Sequence, residues 1–135
     1  MPIRPPTFRP KGARTRREAT AEYDARRGSS RARGYDARWD REATFFRRLH
    51  PLCLGCEAVG RVTPTALVDH IIPHKGDKAL MWDPNNRQPS CTPHHDIVKQ
   101  RLELLFAQGK ASAEDLKLDS RMAIALTREL LEPAE

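Results

Sequence analysis

A Cys-x2-Cys pair, Cys53 and Cys56, is answered further along the chain by a Cys-x2-His, Cys91 and His94, and no other feature constrains the fold as strongly. Thiolates at that spacing bite a single ion through a tight turn, and zinc in structural sites takes four nitrogen or sulfur ligands. The chain has three cysteines, an odd number that argues against a closed disulfide framework. Metal ligation accounts for all three, whereas a redox dithiol would need no second pair at matching spacing. Adjacent histidines, His94 and His95, compete for the fourth place. On a helix starting near Pro93, Cys91 and His94 share a face, while His95 is turned away by about 100°. His94 is therefore assigned to zinc.

Such a staple suits this chain. At 135 residues, with 31% charged and 6% aromatic side chains, it reads as one domain with a small core. Small cores lean on a metal or a disulfide, and zinc adds on the order of 10 kcal/mol or more to folding in small domains.

Charge is unevenly spread. Residues 1–50 hold 14 Lys/Arg against 6 Asp/Glu, and residues 51–135 hold 10 against 12. Thirteen of the fourteen N-terminal cations are arginine, the residue suited to bidentate phosphate contacts. A polyanionic partner follows, with Arg31, Arg33 and Arg38 as candidate DNA contacts; a merely solubilising arm is the plainer alternative. No apolar segment follows Met1-Pro2-Ile3-Arg4, and no run approaches membrane-spanning length. The expectation is a soluble cytoplasmic protein in a reducing compartment, with no membrane partner.

Residues 1–14 read as an extended basic arm, and Thr15 to Arg27 as a marginal helix broken by Gly28-Ser29-Ser30 and Gly34. A second helix is expected over Asp36 to His50, with Tyr35, Trp39, Phe46 and Leu49 near one stripe. Cys53–Cys56 should be a tight knuckle. Thr65 to Ile71 is a short β-prone run ended by Pro73; turns follow at Lys75-Gly76-Asp77 and Asp83 to Asn86, and Arg87 to Ser90 suits a return strand. A helix then runs from near Pro93 through Phe106 and closes at Gly109. Ser112 with Asp115 resembles a capping box, and Ser120 can cap a last helix bearing Met122, Leu126 and Leu130. The class is α+β, divided into a basic, partly disordered arm (1–34), a central domain (35–108) and a helical C-terminal tail (109–135).

Hydrolysing a phosphodiester needs an activated water, charge relief on the phosphate and help for the leaving oxygen. A histidine near its ordinary pKa is a suitable base, and a carboxylate with an imidazole can hold a divalent ion. Asp69, His70 and His95 supply those groups once zinc has taken His94, and Asn86 is placed to fix an imidazole. Taken singly, His70 would be an ordinary strand-end residue and Asn86 a turn former. Neighbours in a regular strand point to opposite faces, so Asp69 and His70 share a cleft only if the strand bulges or ends there.

Val68-Asp69-His70-Ile71-Ile72-Pro73-His74-Lys75-Gly76-Asp77, Asn86-Arg87-Gln88 and Cys91-Thr92-Pro93-His94-His95-Asp96, in that order, resemble the HNH endonuclease family, the zinc-knuckled branch of the ββα-metal (His-Me finger) nucleases. Arg33 to Trp39 and His50-Pro51-Leu52-Cys53 resemble the lead-in of small phage and prophage HNH proteins, so the likeness spans roughly residues 33–99. It implies a small ββα-metal module stapled by structural zinc on Cys53, Cys56, Cys91 and His94, with flanking helices. It implies His70 as general base, Asp69 and His95 as ligands of a catalytic Mg2+ or Mn2+ (Ni2+ being a further candidate in vitro), and Asn86 orienting the His70 ring or pinning the intervening loop. It further implies DNA as substrate, a monomer or dimer, and a phage terminase or portal as partner. Two departures stand out. Histidine replaces the family's usual fourth cysteine, and its usual lysine three residues beyond the last histidine is Val98 here, with Lys99 following. Lys75, Lys99 and His74 are candidate phosphate contacts, His74 equally a loop-stabilising residue. The reading from a different class is a non-catalytic zinc-stabilised DNA-binding packaging accessory.

Overall fold

A computed structural model describes residue 12 and residues 15–27 and 35–132, and the chain forms two compact units, Met1–Tyr35 and Asp36–Glu135. The expected glycine and serine helix break and the candidate contacts Arg31 and Arg33 lie outside the described residues, as does nearly all of the expected extended arm. In the first unit, helix α1 covers Arg16–Arg27. Its start carries a capping box that the sequence reading passed over. The Thr15 amide donates to Glu18 Oε2 at 2.7 Å, and the Glu18 amide donates back to Thr15 Oγ1 at 2.9 Å.

The second unit opens with α2, Ala37–Leu49, capped by Asp36, whose carboxylate accepts from the Trp39 amide. Pro51 follows the helix closely. Of the apolar stripe expected on this helix only Trp39 is buried; Phe46 is half-buried and Leu49 is 60% exposed. The cysteine knuckle is a single helical turn, α3, Leu54–Ala58.

Strands β1, Leu67–His70, and β2, Arg87–Ser90, pair antiparallel as a two-stranded sheet with Asp69 opposite Gln88 and His70 opposite Arg87. Two strands alone are marginal in water, so this pair depends on what packs against it. Turns were expected on either side of Leu80-Met81-Trp82, and between them Lys78–Trp82 forms a helix, α4. The Asp77 side chain caps it, and a 3-10 turn over Pro84–Asn86 follows, capped by Asp83. Five residues are too few for a helical hydrophobic period, which is why the pattern missed α4.

After β2 the chain enters a helix whose first part is not α-helical. Residues His94–Lys99 form a π turn that continues into α5, Gln100–Ala107, closed by Gly109 at φ 72°. A 3-10 turn over Glu114–Leu116 and helix α6, Arg121–Leu130, complete the unit, with Ser120 Oγ accepting from the Ala123 amide as expected. Val98, Leu102, Leu116, Leu118, Ala123 and Leu126 make the apolar core. Residues 109–135, expected as a tail, thus supply four of these six. The architecture is mixed: helices around one small sheet, with a buried cysteine and histidine cluster at its edge. Among the described residues, no helix is long and apolar enough to cross a membrane.

Candidate metal centre and the polar cluster beside it

Cys53 and Cys56 flank the first turn of α3, and Cys91 and His94 flank the entry to the π turn. These two short helical starts bring the four side chains together, all buried, with their ligand atoms within 4.8 Å of one another. The Sγ atoms of Cys56 and Cys91 are 3.8 Å apart, and His94 Nδ1 lies 3.4 Å from Cys56 Sγ and 3.3 Å from Cys91 Sγ. Three sulfurs and one imidazole nitrogen converging in a dry pocket is the donor set of a structural zinc site, and a metal ion fits it. The assignment of the fourth place to His94 agrees with this geometry.

Two further residues make the arrangement possible. On the far side of the imidazole, His94 Nε2 is 3.1 Å from Thr127 Oγ1, on α6. That hydroxyl spends its one proton on the Ala123 carbonyl at 2.7 Å, so it accepts from Nε2–H. The proton is thereby fixed on Nε2, and Nδ1 is the nitrogen that faces the thiols. Gly55 lies flat under the ring, where a Cβ would overlap His94 Cδ2. Burial opposes ionisation of the thiols; at Cys53 the neighbouring His94 and backbone hydrogen bonds win and lower its pKa to about 6. Cys91 goes the other way, pushed up to about 12 by burial and by its sulfur neighbours. Ion binding at neutral pH must therefore displace protons.

His95, the next residue, faces elsewhere. Its Nε2 is 3.8 Å from Asp69 Oδ1 and its Nδ1 is 2.8 Å from Asp96 Oδ1. Asp69 is buried, and its other oxygen, Oδ2, is held by Gln88 Nε2 at 2.9 Å and Lys99 Nζ at 3.0 Å. Gln88 is itself locked in place, donating to the Leu116 carbonyl and accepting from the Leu118 amide. The cross-strand register puts Gln88 beside Asp69 on one face. Oδ1 thus points toward His95 while Oδ2 is fully engaged. One carboxylate oxygen and one half-exposed imidazole suit a divalent ion that keeps its remaining positions for water or phosphate.

His70 leaves the strand in a different direction from Asp69, as alternation requires, and β1 ends at this residue. Its ring stacks on Trp39 with centroids 4.8 Å apart and meets the His74 ring edge-on. Nε2 sits 3.1 Å from the Met81 carbonyl. A carbonyl only accepts, so Nε2 carries the proton and the lone pair is on Nδ1. Burial, with the cations His74, Arg87 and Lys99 against a partial offset from the Met81 bond, lowers the His70 pKa to about 4. At neutral pH the ring is an uncharged base.

Asn86 pins the loop. Its Oδ1 accepts from the Ile72 amide at 2.8 Å, and its Nδ2 donates to the Ile72 and Leu80 carbonyls at 3.0 Å each. It therefore fixes the backbone one residue from the Met81 carbonyl that sets the His70 tautomer. His74 Nδ1 accepts from the Gly76 amide, a loop-stabilising bond. Lys75 is exposed at φ 45°, and Arg38 is exposed with its guanidinium 4.1 Å above the Trp82 ring.

Lys99 corrects an expectation. It is 1% exposed and its ammonium is consumed by Asp69, by Glu103 Oε1 at 2.9 Å and by the His70 carbonyl at 2.7 Å, so it cannot reach a DNA phosphate from there. Gln88, Thr127, Gly55 and the Met81 carbonyl were missed in the sequence. Only the glycine between paired cysteines carried a signal there.

In comparisons with protein-family models, with characterised proteins and with solved structures, nothing matches this chain.

Proposed function

We propose that the protein is a metal-dependent DNA endonuclease of the HNH type, its β1–β2–π/α5 segment serving as a ββα-metal module. The observation that carries this reading is the division of labour between adjacent imidazoles, His94 with the three thiols and His95 with Asp69. A protein needing only a zinc staple has no use for a buried carboxylate aimed at the neighbouring histidine. The sequence likeness set out above supplies the reaction class, and the arginine-rich N-terminal composition suits a polyanionic substrate.

In this reading Asp69 Oδ1 and His95 Nε2 hold the catalytic ion, Mg2+ or Mn2+. When bound, that ion relieves phosphate charge and stabilises the departing 3′ oxygen. His70 Nδ1 takes the proton of the attacking water, the Met81 carbonyl keeping the ring's own proton on Nε2. A base with pKa near 4 is unprotonated at pH 7, and a cation held by Asp69 and His95 would supply the acidification of water that so weak a base needs. Asn86 acts through the loop, holding Met81 in place. Lys75 and Arg38 lie exposed for backbone contacts. Linkage to a phage packaging machine, with terminase or portal as partner, belongs to the same proposal.

Plasmid relaxation tests it. Wild type should nick supercoiled DNA with Mg2+ or Mn2+, and His70→Ala should lose at least about a hundredfold in rate while binding DNA as before. Equal cleavage by His70→Ala, or none by wild type with any of Mg2+, Mn2+ and Ni2+, refutes the nuclease. DNA binding without cleavage would then favour the accessory protein.

A further inference from the structure

Lys99 has no part in the chemistry so far, yet it is the most deeply buried charge beside the candidate catalytic pair. Three acceptors surround its ammonium: Asp69 Oδ2, Glu103 Oε1 and the His70 carbonyl. A buried lysine is costly unless such partners compensate it, so its placement needs a reason.

The backbone has been adjusted to put it there. In a regular α-helix, position 99 would turn about 40° beyond His95, toward solvent. A π turn advances roughly 80° per residue, which leaves position 99 about 30° short of His95, between it and the buried His94. The π turn spans His94 to Lys99, the segment where this matters. Lys99 and His95 consequently approach the two oxygens of one carboxylate, Lys99 at 3.0 Å from Oδ2 and His95 at 3.8 Å from Oδ1.

We propose that Lys99 is a positioning residue that shares Asp69 with the incoming divalent ion, aiming Oδ1 at His95 while its fixed positive charge keeps the ion loosely held. This rests on the reading of Asp69 and His95 as the catalytic ion's ligands. The consequence is an ion site that fills well only when a substrate phosphate adds its own negative charge. Two cations on one carboxylate repel across a short distance in a poorly screened site. An anionic substrate beside the ion offsets that penalty, so ion and DNA bind with mutual help.

Manganese binding followed by electron paramagnetic resonance tests this without relying on cleavage. Asp69→Asn defines the signal belonging to the site. Lys99→Gln, which keeps a hydrogen-bond donor and removes the charge, should bind Mn2+ roughly tenfold or more tighter. Lys99→Arg, which keeps the charge, should stay near wild type. Should Lys99→Gln fold poorly because Glu103 is left unpaired, Lys99→Gln with Glu103→Gln is to tighten Mn2+ binding in the same direction. A purely structural lysine gives the opposite sign, since loss of the anchor lets Asp69 wander and weakens the ion. Unchanged or weaker Mn2+ binding in folded, zinc-replete Lys99→Gln or the double variant overturns the proposal. If wild type shows no Mn2+ binding that Asp69→Asn removes, the ion-site reading fails, and this inference fails with it.

Discussion

Thr127→Val is the sharpest single test of how the metal centre is built. The residue is fully buried on α6, far from the cysteines in sequence, and its hydroxyl takes the Nε2 proton of His94 at 3.1 Å while giving its own to the Ala123 carbonyl at 2.7 Å. Valine fills the same space without the oxygen. The lost bond to Ala123 matters little, because that carbonyl already serves the helix. The loss at His94 matters more, because Nε2–H is left buried with no acceptor, at a cost of about 1–3 kcal/mol. Removing an outer partner of a metal-bound histidine typically weakens metal affinity about 10- to 100-fold, which is roughly 1.4–2.8 kcal/mol, so the two routes agree.

Competition against a chromophoric chelator should accordingly show zinc affinity falling by at least about tenfold in Thr127→Val. The zinc-loaded melting temperature should drop by roughly 4–8 °C for each kcal/mol in a unit of this size. Thr127→Ser keeps the hydroxyl and should recover most of the affinity. Zinc binding by Thr127→Val as tight as wild type would show that the Nε2 contact does not orient the ligand, and the assignment of Nδ1 as the coordinating atom would lose its basis.

Gly55→Ala should lower zinc content and stability by about 1–3 kcal/mol, because the new methyl overlaps the His94 ring between two fixed cysteines; metal analysis of the purified variant checks it. Zinc removal by a strong chelator should unfold or loosen the second unit, read by circular dichroism, since a two-stranded sheet beside a small apolar core has little else to hold it. His70 should remain neutral down to about pH 4 by imidazole NMR. Its folded pKa lies below the ordinary 6.5, so its contribution is complete above pH 6.5 and is lost as pH falls toward 4, roughly 3 kcal/mol in urea denaturation between pH 7 and 4. Asn86→Ala strands the Ile72 amide and the Ile72 and Leu80 carbonyls and should cost about 2–4 kcal/mol, with the His70 imidazole signals shifting as Met81 moves.

The metal ligands were legible because coordination chemistry imposes short, rigid spacings that survive in one dimension, and the choice of His94 over His95 followed from helical rotation alone. The caps at Asp36 and Ser120 and the strand pair were legible for a similar reason, each being decided within a few residues. What could not be read depends on contacts across the chain. Gln88 becomes Asp69's partner only through the register of β1 on β2, and Thr127 meets His94 only once α6 packs onto the π turn. The stripe on α2 failed from the opposite cause. Its spacing is helical, but only Trp39 is fully covered, with Phe46 half-buried and Leu49 exposed.

Lys99 shows how one backbone detail joins these levels. By residue count it stands one place beyond the position the family likeness favours, which suggested a displaced surface contact. The π turn absorbs that extra residue, and the side chain enters the interior instead of leaving it. The same turn separates His94 from His95, so the Cys3His cluster, the candidate catalytic pair and the buried ammonium all hang on six residues of irregular helix. A π turn is less favourable than α-helix and persists only where side-chain contacts over-determine it. Here they do so from both ends: thiols and Thr127 hold His94, and Asp69, Glu103 and the His70 carbonyl hold Lys99. Loosening either end should let the segment relax toward regular helix, rotating His95 away from Asp69. The Cys3His cluster and the Asp69–His95 pair are thereby coupled through the backbone without sharing a residue.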